Sequence, residues 1–232
     1  MEQSYDQHKG NWKRNIVLFL GSQTISLFGS ALVQFAIMWY ITRETQSGIM
    51  MMLYILCGFV PTFLLSPFAG VWADRFNRKL LIAGADMMIA IATLALALLF
   101  LNGYGAMWLF FVVAAIRAIG TGIQMPAVGA ILPQIVPADQ LTRVNGINGS
   151  IQALVNLGAP MVSAAMLSTT AIEMIFFVDV ITAVLAVSIL LFLLRIPAHA
   201  KAVAQQTEGY FKDLSLGIAY IRKHDFLKPF FI

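Results

Sequence analysis

Charge is what this sequence has least of. Only 11% of its 232 residues are Asp, Glu, Lys or Arg, where soluble domains carry about 25%. A chain so poor in charge and 59% hydrophobic could hide much of its apolar content in a soluble core, but not runs of twenty or more apolar residues repeated along its length. Cysteine is almost missing: Cys57 stands alone inside an apolar run, which excludes an intrachain disulfide and leaves it as a small packing residue. The histidines, His8, His199 and His224, lie far apart, and the run Met50-Met51-Met52 has no His or Cys beside it. No metal set is therefore expected. No G-x-x-x-x-G-K-[ST] stretch occurs, so the P-loop route to ATP is excluded. An HExxH helix, a nucleophile–base pair and paired aspartates at membrane depth are likewise missing, so neither an enzyme nor a cofactor is expected.

What the sequence has is apolar length. Continuous runs cover residues 16–41, 48–72, 79–101, 106–130, 145–167 and 172–194. Each holds the ~20 residues needed to cross a hydrocarbon core about 30 Å thick. Continuous rather than alternating apolar character selects helices over a barrel. The first run exceeds the h-region of a signal peptide and no small-residue cleavage site follows it, so it reads as a retained helix. The chain divides into a polar N-terminus (1–15), a six-helix bundle (16–195), a Gln-rich linker (196–209) and an amphipathic interfacial helix leading to a seventh span (210–232). Ending as apolar character returns, it reads as cut short.

Alternate loops lie on opposite sides of a membrane. Of the 15 Lys and Arg residues, all but Arg43 and Arg117 fall in the N-terminus, the second and fourth loops, and the segment after Leu194. By the positive-inside rule both ends are cytoplasmic. The net charge of +4 is thereby a matter of topology, and no nucleic-acid partner is implied.

The second loop reads Gly70-Val-Trp-Ala-Asp74-Arg75-Phe-Asn77-Arg78-Lys79. It resembles the major facilitator superfamily signature G-x-L-a-D-R-x-G-R-K at the same spacing. Trp72 replaces the Leu, and Asn77 replaces the second Gly; Asn tolerates positive φ, so the turn is expected to survive. The segment from Gln23 to Trp39, the pair Arg117-Ala-Ile-Gly120 with Pro126-Ala127, and Val136-Pro-Ala-Asp-Gln-Leu-Thr-Arg-Val-Asn145-Gly146 resemble the macrolide-efflux-like branch of drug exporters. The resemblance implies an all-α membrane fold of two six-helix halves, of which this chain supplies the N-terminal one, in a bacterial plasma (inner) membrane. It further implies that Gly70, Asp74, Arg75, Arg78 and Lys79 form a gating latch between the halves. One departure bears on antiport: Gly158-Ala-Pro160 interrupts the adjacent Gly-Pro of the family's fifth-helix antiporter signature.

Polar residues inside the spans are costly in lipid and point to function. Arg117 lies mid-span, sharing a face with Thr121 and Gln124. The resemblance makes it a cavity residue for an anionic group or a modulator of a proton-binding carboxylate; a structural Arg paired with an acid or with carbonyls is equally open. Gln23, Ser26, Ser30 and Gln34 make a stripe on the first helix, and Asn145, Asn148, Gln152 and Asn156 one on the fifth. Such stripes glue helices or line a wet passage, and lining is expected here. Asp86 and Asp179 are buried carboxylates that could carry a proton. Because the resemblance makes the third and sixth helices peripheral, Asp86 is expected to pair with Arg117 or Arg78; Asp179 stays open. Small residues at Ala118-x-x-x-Gly122 and Gly158 are expected to permit close helix packing.

The function expected is secondary active efflux of amphipathic small molecules by alternating access. Its partners would be the substrate, membrane lipid, H+ as coupling ion, and the other half or a second copy. The alternative is a truncated or half-size protein, acting as a non-transporting scaffold or an obligate dimer.

Overall fold

Backbone groups in hydrocarbon must be satisfied within the segment, and each of the six apolar runs forms a helix long enough to cross a membrane. The computed structural model describes residues 12–194. The helices are α1 (Trp12–Thr45), α2 (Gly48–Arg75), α3 (Arg78–Leu101), α4 (Trp108–Ile135), α5 (Leu141–Thr169) and α6 (Ile172–Ser188), the last continued by a π turn, Ile189–Leu193. A short 3₁₀ turn, Ala138–Gln140, precedes α5. Most helices outrun their apolar spans at one end or both. α1 is 34 residues long, ~50 Å at 1.5 Å per residue, so its first turn carries Lys13 and Arg14 beyond the apolar stretch. The linker and amphipathic helix expected after Arg195 lie outside the described residues.

The turns follow local chemistry. Ser47 caps α2, accepting from Met50 N at 3.5 Å. Gly103, at φ 80°, ends α3: its N–H donates to Phe100 O and that of Tyr104 to Leu99 O, both at 2.9 Å. That paired closure needs a left-handed residue, which glycine supplies without cost to Cβ. Asn77 behaves otherwise than expected. Its φ is −64°, and its side chain accepts from Lys79 N at 3.0 Å. The signature turn survives because Asn is a strong helix N-cap, with no positive φ involved.

Packing runs in the order α2, α4, α3, α6, α1, α5, neighbours in that order making the extensive contacts. Exchanging α1 with α4, α2 with α5 and α3 with α6 maps this order onto itself. The first and last three helices are thus related by a pseudo-two-fold axis. Helices so exchanged run antiparallel, which makes the axis perpendicular to them, in the plane of a membrane. α2 and α5 end the order and are the least buried.

Two apolar clusters fill the bundle. At the end bearing the α2–α3 and α4–α5 loops (the basic end), Ile16, Phe19, Ile82, Ile131, Leu190 and Leu194 pack together. At the opposite end, Phe100 meets Phe110, Phe176 and Tyr40 with ring centroids 5.1, 6.0 and 6.2 Å away. Cys57 packs against that second cluster.

Candidate functional site

Between the two apolar clusters, α1, α3, α4 and α6 bring polar side chains together in two tiers. In the tier nearer the opposite end, Arg117 Nη1 donates to Asp179 Oδ2 at 2.5 Å and to Thr93 Oγ1. Its Nη2 donates to Ser30 O at 3.0 Å. Asp179 also accepts from Ser30 Oγ at 3.0 Å and lies 2.9 Å from the Thr93 hydroxyl. In the tier nearer the basic end, Asp86 Oδ1 accepts from Ser26 Oγ at 2.7 Å and Gln124 Nε2 at 2.8 Å. Gln124 Nε2 also lies 3.5 Å from Gln23 Oε1. Asp86 and Thr93 stand seven residues apart on α3, as do Arg117 and Gln124 on α4. Seven residues are almost two turns, so each pair shares a face, ~10 Å apart along its helix.

Two glycines bring the backbones close enough for this. A Cβ on Gly29 of α1 would collide with Thr182 Oγ1 and lie 3.2 Å from Asp179 Cα. A Cβ on Gly120 of α4 would fall 2.6 Å from Ile89 Cγ1 and 3.3 Å from Ala85 O of α3. Close approach at Gly122 is modest, 3.4 Å to Thr62 Cα, beside a Thr62 hydroxyl that donates to Ala118 O at 2.8 Å. Gly158 has nothing within 4 Å of an added Cβ, so its expected packing role is not met among the described residues.

The polar cluster corrects the partner expected for Asp86. Arg117 pairs with Asp179, because it sits a tier away from Asp86. Arg78 stays at the end of the bundle. α3 and α6 pack on each other and on α4 and α1, so their carboxylates are central to this half. The α1 stripe divides: Ser26 and Ser30 are helix-joining groups, Gln23 is half-buried and Gln34 is exposed. On α5, Asn145, Gln152 and Asn156 are exposed and Asn148 is half-buried. Thr121, on the face of Arg117, is exposed. Thr93 and Thr182 were not singled out from sequence. Thr93 was findable as the polar residue two turns from Asp86 in an alanine-rich helix; Thr182 carried no such signal.

The signature loop holds three helices. Arg78 donates from Nε to Ala73 O at 2.9 Å, from Nη1 to Ala130 O of α4 at 2.8 Å, and from Nη2 to Asp74 Oδ1 at 3.4 Å. Lys79 Nζ reaches Leu191 O at 3.1 Å and Leu194 O at 2.7 Å, capping carbonyls at the end of the π turn. Gly70 is exposed, with nothing within 4 Å of an added Cβ. Hydrogen bonds from charged groups contribute about 1.5–3 kcal/mol. Arg78→Met should therefore cost about 2 kcal/mol, a melting shift of a few degrees for the purified complete protein. An unchanged melting temperature would mean that water replaces all of these bonds.

Comparison with known proteins completes the picture. Macrolide efflux protein A of Streptococcus pyogenes is 33% identical over 214 residues, 92% of this chain and 53% of that protein. The protein of the same name in Enterococcus faecalis is 33% identical over 169 residues, covering 73% of this chain and 52% of its own length. The chain thus spans about half the length of these curated relatives. With six apolar helices among its described residues and with residues 19–232 matching the family, this chain is a multi-pass membrane protein that belongs to the Major Facilitator Superfamily.

Proposed function

We propose that the chain forms the first half of a secondary active exporter of amphipathic small molecules, macrolides among them, working by alternating access and driven by a proton gradient. The observation that carries this reading is the buried polar cluster. Arg117, Asp179 and Asp86 are 8%, 0% and 2% exposed, at a depth where each ionisable group is expensive. A bundle serving only as a scaffold has no need of them, since apolar side chains of similar volume hold helices as well. The name of the relatives, macrolide efflux protein A, supports the substrate class.

In this reading the basic end faces the cytoplasm, where the loop of Gly70, Asp74, Arg75, Arg78 and Lys79 latches onto a second six-helix half, with Arg78 and Lys79 tying it to α4 and α6 of this one. Gln34, Asn148, Gln152 and Asn156 face that half across a wet passage, with Gln124 and the buried Arg117 set behind it. The exposure of Gln34, Gln152 and Asn156 on helices that otherwise meet lipid or apolar neighbours agrees with such a lining.

The test is uptake of a labelled macrolide into inverted proteoliposomes containing the complete protein, with a pH gradient imposed. Gradient-dependent accumulation is expected, and its absence for macrolides and other amphipathic cations would overturn the reading. Asp74→Arg, at an exposed position, should leave membrane insertion intact and reduce turnover by at least about ten-fold, equivalent to ~1.4 kcal/mol on the rate-limiting barrier. Undiminished turnover would remove the latch role.

A further inference from the structure

The pseudo-two-fold axis exposes an imbalance between the two carboxylates. Asp86 on α3 and Asp179 on α6 stand on exchanged helices, and each accepts from one helix of its own triplet and one of the other. Asp179 takes Arg117 of α4 and Ser30 of α1; Asp86 takes Ser26 of α1 and Gln124 of α4. The cation is present on one side only. Ser26 occupies, for Asp86, the role that Arg117 fills for Asp179.

Both donors at Asp86 go to Oδ1. Among the described residues, Asp86 Oδ2 is buried with no hydrogen-bond partner, and so is Gln23 Nε2 in the same tier. The described groups packed around Asp86 supply no compensating charge. From α1 come Ser26 and Gln23, both neutral; from α4 comes Gln124, with Arg117 a tier away and already engaged by Asp179; from α6 comes Asp179 itself, a like charge. On α3, Arg78 and Lys79 lie about two turns off and are bonded at the bundle end. A carboxylate so placed bears the full cost of an uncompensated buried charge, with one oxygen lacking any donor. Addition of one proton removes the charge.

We propose that Asp86 is a proton-binding site of this chain, with Gln23, Ser26 and Gln124 as its neutral cradle and the Arg117–Asp179 pair as its permanently compensated counterpart. Loading forms one O–H bond at Oδ2 with a proton taken from water on one side of the membrane. Unloading breaks that bond and returns the proton to water on the other side, with no change of oxidation state. Gln124, bonded to Oδ1 and only half-buried, is the group through which an occupied passage reaches the carboxyl. The assignment names the coupling group of the exporter reading and rests on it.

Infrared difference spectra of the reconstituted complete protein, taken between acidic and alkaline sodium-free buffers, read the proton directly. A carboxylic-acid C=O band is expected that disappears on alkalinisation, is missing in Asp86→Asn and is displaced in Ser26→Ala. The exposed Asp74→Asn variant should keep it. A band unaltered in Asp86→Asn, or one abolished by Na+ at constant acidic pH, would overturn the assignment, the second outcome in favour of a sodium site. A second measurement uses labelled macrolide and a pH gradient of one unit. With one proton per substrate it sustains accumulation of at most about ten-fold, and Asp86→Asn should bring this to about one-fold. Undiminished accumulation in that variant sinks the proton site. A band that behaves as expected in a wild type that accumulates nothing sinks the exporter reading alone.

Discussion

Arg117→Ala is expected to abolish transport and to remove a large part of the stability of the bundle, while the protein still inserts in the membrane. Arg117 makes bonds to Asp179, Thr93 and the Ser30 carbonyl, so its loss strands the wholly buried Asp179 without a cation. Removing one partner of such a pair costs about 3–5 kcal/mol, against a total stability of about 5–15 kcal/mol for a domain. Insertion is spared because the change makes the α4 span more apolar. The sharper expectation concerns the double variant. Arg117→Met with Asp179→Leu removes both charges, fills similar volume, and should recover the melting temperature of the purified complete protein to near wild type. Transport should stay lost in that variant if the pair has a role in the cycle beyond holding helices. A single Arg117→Ala variant with wild-type melting and efflux would show that the ion pair contributes neither.

Gly29→Val is the second large effect. α1 and α6 touch where Gly29 has no side chain, and even a Cβ there collides with Thr182 Oγ1. Thr182 cannot simply swing aside, since its hydroxyl donates to Asp179 O at 2.9 Å, and its own Cβ would be 3.0 Å from the new one. The helices must therefore separate. Separation lengthens the Ser30–Asp179 bond one residue along α1 and loosens the donors around the buried carboxylate. Overpacking of this kind costs about 1–3 kcal/mol, and the weakened bond to a charged group adds to it. A fall in melting temperature comparable to that of Arg117→Ala is expected, partly reversed by Thr182→Gly. If Thr182→Gly gave no recovery, the cause would lie elsewhere than in α1–α6 contact.

The parts of this molecule that lipid dictates were readable from residue order. Apolar run length places all six helices, and the signature loop places Asp74, Arg78 and Lys79 at one end of the bundle. The site was legible only by face. A 3.6-residue period says that Ser26 and Ser30 share a side of α1, yet it does not say which helix that side meets. That information is in the packing order, and the decisive bonds span 60 residues from Ser26 to Asp86 and 149 from Ser30 to Asp179. Asp86 was accordingly matched with the wrong cation. A peripheral place for α3 suggested a structural partner such as Arg117 or Arg78, whereas a tier offset of ~10 Å separates Asp86 from the first. Asn77 shows the same limit on a local scale. Its residue type allowed two turn geometries, and only the backbone distinguishes a cap from a left-handed turn.

The Arg117–Asp179 pair also sets a timetable. The two residues are 62 apart in the chain, and ribosomes add about 5–20 residues per second. Arg117 therefore enters the insertion machinery roughly 3–12 s before its anion has been made. Through that interval α4 carries an uncompensated guanidinium that hydrocarbon rejects, so it has to linger at a wet boundary, its long side chain reaching for water or headgroups. The arrival of α6 is what lets α4 leave that boundary. Slowing synthesis between the two helices should prolong the exposed stage and make the nascent protein a better target for quality-control proteases.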